Sequence, residues 1–337
     1  MSRDINEEVS LSGAKPVSSH ESDMVAKEGQ LTGLIKDATS NAQIVDIITA
    51  ASSEQLIPWE EAELPSKGLY YGWGSGIIEV KAWGTKVDKI LATARLVQSG
   101  QAIDKVFTEC CRFPDGFDPV DLLVGDQVFL LYYLRGITHG NIYEFFTTCP
   151  DKACQHISSH SIDLNDLVST ITWSDPALGP EPFKVVLPYF SRQMDREISV
   201  SIRFLRVSDA QVIQRQQKAR EIATGGSRIR VKPRERRIQT QTQPQESRDN
   251  IPIDDAISQN IETVIADVMG VRDRFKIKTF VDKMHSSDIA TVRDWLTENT
   301  PGIETMIDLQ CPQCNETHRA MLPITESFFR PQNIRTV

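Results

Sequence analysis

The sequence lacks the features that would place it in several large functional classes. No stretch approaches the roughly 18 uninterrupted apolar residues of a membrane-spanning helix, so no such helix is expected. The opening MSRDINEEVSLSGAKP has no apolar segment of the kind a secretory leader carries, and export is not expected either. Acidic residues outnumber basic ones by 46 to 37, and a net charge of −9 makes the whole chain a poor ligand for a phosphate backbone. The Walker loop, G-x-G-x-x-G, H-E-x-x-H and G-x-S-x-G are all missing. The glycines of YGWGSG precede a strand pattern instead of opening a helix, the reverse of what a phosphate cradle needs. Of the six histidines only His156 and His160 lie close together, with no nucleophile or carboxylate pattern beside them. An enzyme is not expected.

Cysteine is also scarce, and four of the six cysteines fall in two matching contexts. Cys149 and Cys154 stand in YEFFTTCPDKACQHISSHSIDL, and Cys311 and Cys314 in IETMIDLQCPQCNETHRAMLPI. Each context reads as an apolar, β-branched run, then Cys-Pro, a second Cys, a polar turn and another partly alternating run. That is the pattern of a β-hairpin with a cysteine knuckle at its tip. Two facing knuckles supply four thiolates, the closed ligand set of a structural zinc ribbon, with no open position for catalysis. The knuckles lie about 160 positions apart, where a simple ribbon needs roughly 15 to 20, so an inserted domain is expected between them. The alternatives are four unrelated buried thiols and, less well supported, a redox pair, since neither pair opens a helix after a strand. His156 and His318 follow the knuckles closely and could each replace a sulfur, although surface positions suit them better. Cys110 and Cys111, in AIDKVFTECCRF, are expected on a helix, partly in the core.

The fold class that follows is α+β, a helical core with β-hairpins forming an interrupted zinc-ribbon-like four-cysteine module. Residues 1–62 are polar and poor in aromatics, a mobile arm in which LIKDATSNAQIVDIITAA alone has helical spacing. Residues 63–148 form a helical domain. There GIIEVKAW is a strand, TKVDKILATARLVQSG a helix capped by Thr85 and ended by Gly100, and DPVDLLVGDQVFLLYYLRGITHG the most apolar helix, starting at Asp118-Pro119. Residues 149–207 hold the first knuckle and two strands, FKVVLPYF and EISVSIRFLRV. Residues 208–302 hold inserted helices, the first capped by Ser208 or Asp209, then a flexible loop at 224–250. Beyond the loop come DDAISQNIETVIADVMGV, DRFKIKTFVDKM and SSDIATVRDWLTENT, the last capped by Ser286 or Ser287. Residues 303–337 carry the second knuckle and the tail.

The loop contains RIRVKPRERR, with Arg228, Arg230, Lys232, Arg234, Arg236 and Arg237 in one short run. It has no interleaved aromatics on which bases could stack. A solvated loop, or contact with an acidic partner, therefore fits better than nucleic acid. The competing class is a zinc-ribbon nucleic-acid-binding or transcription-associated module that uses 228–237 for phosphate contacts.

Several phrases carry a resemblance. They are the opening LPSKG, the helix DLLVGDQVFLLYYLRGITHG, the strand YEF running into its knuckle, and the closing DLQCPQCNETHRAMLPITESFFRP. Over roughly 63–165 and 303–331 the chain is similar to the baseplate hub and hub-assembly protein family of contractile-tailed, T-even-like bacteriophages. The resemblance implies a virion or tail-assembly component at the baseplate, assembled in the host cytoplasm. Its partners would be other tail proteins (hub, spike or tape measure protein), and it would be oligomeric in the assembly. A zinc held by Cys149, Cys154, Cys311 and Cys314 would then be structural, and no membrane partner is expected.

Overall fold

The computed structural model describes residues 35–36, 40–50, 56–93, 95–96, 100–223, 261–324 and 326–329. Most of the expected arm and the whole of 224–250, with its basic run, lie outside them. The chain forms two compact units, Met1–Glu60 and Glu61–Val337. In the first, helix α1 (Asn41–Ala50) starts with a reciprocal cap: the Ser40 amide donates to Gln43 Oε1 at 3.1 Å and the Gln43 amide to Ser40 Oγ at 3.3 Å. None of its side chains is buried.

The second unit mixes helices with small antiparallel sheets, as the α+β reading requires. After β1 (Trp59–Glu63), the LPSKG phrase forms a tight turn that returns to β2 (Ile77–Lys81). Lys67 and Gly68 both have positive φ, and a Cβ on Gly76 would come within 2.4 Å of the Lys67 backbone. The glycines are there because two backbone segments touch. Helix α2 (Thr85–Leu91) is shorter than expected. Thr85 lies inside it, Gly84 is its N-cap without a side-chain bond, and Gly100 caps the start of α3 (Gln101–Cys110). Cys110 ends α3 and Cys111 opens β3 (Cys111–Arg112), so the pair straddles two elements; both are buried.

Asp118-Pro119 opens only a 3₁₀ turn, Pro119–Asp121, with Asp118 accepting from the Val120 amide. The long apolar helix α4 begins later (Val124–His139) and buries Phe129, Leu130, Leu131, Tyr132 and Leu134. Its first turn also buries Asp126, whose carboxylate accepts from the Ser66 amide at 3.0 Å and the Tyr71 hydroxyl at 2.5 Å. Tyr71 in turn accepts from the Leu123 amide at 2.8 Å. Burial pushes the Asp126 carboxyl up to about 6, against the pull of these donors. Because the folded pKa is raised, the stabilisation is complete below the unfolded carboxyl range and is lost as pH rises through about 6. Measured against Asp126→Asn by chemical denaturation from pH 4 to 8, the wild-type advantage should shrink with rising pH by on the order of 3 kcal/mol. A pH-independent difference would sink this assignment.

Beyond α4, Arg135 folds back, donating to the carbonyls of Gly140 at 2.7 Å and Ile142 at 3.3 Å, and so fixes the turn into the first hairpin. That hairpin is β4 (Ile142–Thr148) with β5 (Ile157–Asp163). Tyr143 and Phe145 enter a first core built on α4, β2, α3 and the segment after the second hairpin.

A second core follows. Strands β6 (Phe183–Val186), β7 (Ser199–Ile202) and β8 (Ile265–Val268) form an antiparallel sheet in the order β6-β7-β8. The expected strand FKVVLPYF divides, because Pro188 opens helix α5 (Pro188–Met194). Helix α6 (Val207–Ala223) starts one residue before the expected caps, and Asp209 in its first turn takes Arg203 in a two-point ion pair. The run read as helix through IETVIADVMGV is helical only at 261–264 and then becomes β8, where Val200 and Ile202 pair with it. Helices α7 (Arg274–Val281) and α8 (Ser286–Asn299) complete this core. His285, not a serine, caps α8 by accepting from the Ser287 amide through Nδ1. Buried Asp288 receives the Tyr189 and Phe190 amides at 2.8 and 3.1 Å, joining α8 to the start of α5.

The chain then returns to the first core through β9 (Met306–Gln310) and β10 (Thr317–Met321), the second hairpin, and ends its described course in α9 (Glu326–Phe329).

Candidate metal centre

Both knuckles are built to one plan. In the first, the Cys149 amide donates to the His156 carbonyl at 2.9 Å, one step beyond the Thr148–Ile157 pair that closes the hairpin. In the second, the Cys311 amide donates to the Glu316 carbonyl at 2.9 Å, one step beyond Gln310–Thr317. The residue after the second cysteine has positive φ in both, Gln155 at 46° and Asn315 at 60°. The two extra residues of the first knuckle are absorbed by Asp151, whose side chain accepts from the Ala153 amide and whose carbonyl accepts from the Cys154 and Gln155 amides.

The four sulfurs converge. Cys149 Sγ lies 3.6 Å from Cys314 Sγ, and Cys154 Sγ lies 3.8 Å from Cys311 Sγ, so the first cysteine of each knuckle faces the second of the other. All four ligand atoms fall within 4.8 Å of one another. The cysteines are free, and these separations are far beyond a disulfide bond. Four thiolates about 2.3 Å from a central tetrahedral ion stand about 3.8 Å apart, close to the separations of these two pairs. Cys149 and Cys311 are buried, Cys154 is half-buried and Cys314 is exposed, so the cluster sits at the rim of the first core.

Electrostatics separate the thiols. The amides of Cys314 and Gln313 hold the Cys311 thiol down at about 7, whereas burial pushes Cys149 up to about 12. An ion entering the site would therefore displace protons as it binds. His156 and His318 do not join the group of ligand atoms; His156 contributes its backbone carbonyl instead.

The hairpins are also tied behind the cluster. The Tyr143 hydroxyl donates to the Pro323 carbonyl at 2.7 Å and the Tyr132 hydroxyl to the Leu322 carbonyl at 3.1 Å. The Tyr143 and Tyr132 rings pack edge-on against Phe328. The knuckle cysteines were visible from spacing. The shared turn geometry was not, although Asn315 is a residue type that tolerates positive φ and could have hinted at it.

Comparison with known families adds one finding. The model of the T4 bacteriophage base plate protein family matches residues 60–330. The chain belongs to that family. No curated protein and no solved structure matches it. In this base plate protein the matched span holds all four cysteines and both cores, and it includes the middle of the chain, where the phrase-level resemblance stopped. Among the described residues no helix is long and apolar enough to cross a membrane.

Proposed function

We propose that the protein is a structural subunit of the phage tail baseplate, placed at or near the hub, in which Cys149, Cys154, Cys311 and Cys314 hold one zinc ion. The observation that carries the structural role is the family match over 60–330. What supports zinc is the convergence of four thiols at tetrahedral spacing from hairpins distant in sequence. Bound there, zinc would fasten the β4–β5 tip to the β9–β10 tip and close the chain around the second core. On this reading the protein has no catalytic role, its neighbours are other tail proteins such as hub, spike or tape measure protein, and it joins the virion tail during assembly in the host cytoplasm. Nothing favours the nucleic-acid alternative, whose basic run at 228–237 lies outside the described residues.

Two measurements test this. Purified protein is expected to contain one zinc per chain. Baseplates isolated from infected cells, separated by sedimentation and analysed by mass spectrometry, are expected to contain the chain. Tails that form normally without it, and never contain it, would overturn the structural role.

A further inference from the structure

The outer face of the β4–β5 hairpin carries three exposed apolar side chains among its polar ones. Its inner face is buried through Tyr143 and Phe145. On the opposite face Ile142 is 56% exposed, Phe146 59% and Ile157 53%. Phe146 pairs with Ser159 and Ile157 with Thr148, which makes Phe146 and Ile157 diagonal neighbours on one face. An antiparallel sheet packed on one side normally shows polar residues to water. Grouped exposed apolar side chains instead mark a contact surface.

Charge narrows the partner. Glu144 stands between Ile142 and Phe146, and Asp163 pairs with Ile142, while no lysine or arginine lies on that face of either strand. Among the described residues neither carboxylate forms an ion pair. A second copy of this chain would set the same carboxylates and another −9 against them.

We propose that this face is a docking surface for a different tail protein, which contributes apolar side chains bordered by lysine or arginine. The inference rests on the baseplate reading. The cysteine cluster fixes the hairpin's tip and the first core fixes its back, so the face is held rigid before a partner arrives, which lowers the entropic cost of binding.

The test uses the full chain in infected cells, with the photo-crosslinking residue p-benzoylphenylalanine at position 146 and, as control, at position 275. Phe275 is 78% exposed on α7, far from the hairpin in sequence. In isolated baseplates, position 146 is expected to cross-link to an apolar, Lys/Arg-bordered segment of another tail protein, and position 275 to give a different product or none. A second variant, Phe146→Ser, is expected to melt like wild type yet enter baseplates at least about ten-fold less well. Cross-linking from position 146 to a second copy, to this chain's own 228–237, or to nothing while the chain is present in the baseplate would overturn the docking proposal alone. Absence of the chain from baseplates would overturn both proposals together.

Discussion

Replacing Cys311 and Cys314 together with serine is expected to abolish the proposed zinc binding and, with it, the cooperative unfolding of the first core. Structural zinc contributes on the order of 10 kcal/mol to folding in small zinc modules. The joint here links hairpins whose backbones do not pair with each other, since β4–β5 and β9–β10 are separate two-stranded sheets. An isolated two-stranded hairpin is marginal in water. Without the ion, β9–β10 keeps its tyrosine tethers to Leu322 and Pro323, but its tip has only sulfur contacts to hold it. Metal analysis and thermal unfolding, wild type beside the double variant, decide the matter. Equal metal content, or an unchanged transition, would remove the site. Acidification gives a second handle: because protons compete with a metal for the thiols, zinc retention should fall as pH drops.

The second large effect is expected from Gly125→Ala. In an ordinary exposed helix this change stabilises by up to about 1 kcal/mol. Here it should destabilise by about 3 kcal/mol or more, since it forces backbone atoms together. A Cβ at position 125 would lie 1.8 Å from the Pro301 carbonyl oxygen and 3.1 Å from Gly302 Cα. Neither side can give way easily. The Val124 amide is bonded to the Leu205 carbonyl at 3.0 Å, and Gly302 exchanges two backbone hydrogen bonds with Thr172 at 2.8 and 3.1 Å. Denaturant unfolding of the variant reads the sign directly. A stability equal to or above that of wild type would show that α4 and the segment leading into β9 do not approach so closely.

The sequence made some of this legible and hid the rest for identifiable reasons. The convergence of the four cysteines was readable because Cys-Pro followed by a second Cys, set between alternating runs, is the pattern of a knuckle at a hairpin tip, and the two knuckles match. The α4 core was readable because VFLLYYL is too apolar to sit anywhere else. Helix caps were misplaced at Thr85, Ser208 and Ser286 because a polar residue near a helix start is a local signal. A tertiary contact set the start of α6, where the Val207 amide bonds the Leu122 carbonyl at 2.9 Å, while α8 took its cap from the neighbouring His285. The strand β8 was missed because IETVIADV has apolar spacing that suits a helix as well as a strand. Its partner β7 lies more than sixty residues earlier, and a windowed reading cannot see that pairing. Asp126 carried no sequence signal at all, since a carboxylate in a helix's first turn ordinarily faces water.

One consequence concerns force. The first and second knuckles bracket all of the second core's buried residues but Leu123, and their sulfurs meet across 157 and 165 positions of chain. With a metal bound, a pull applied between β4 and β10 passes through the thiolate joint and never reaches the sheet β6-β7-β8. The residues between the knuckles would then lie off the covalent load path, tied to the start of α4 by contacts such as the Val124 amide to the Leu205 carbonyl at 3.0 Å.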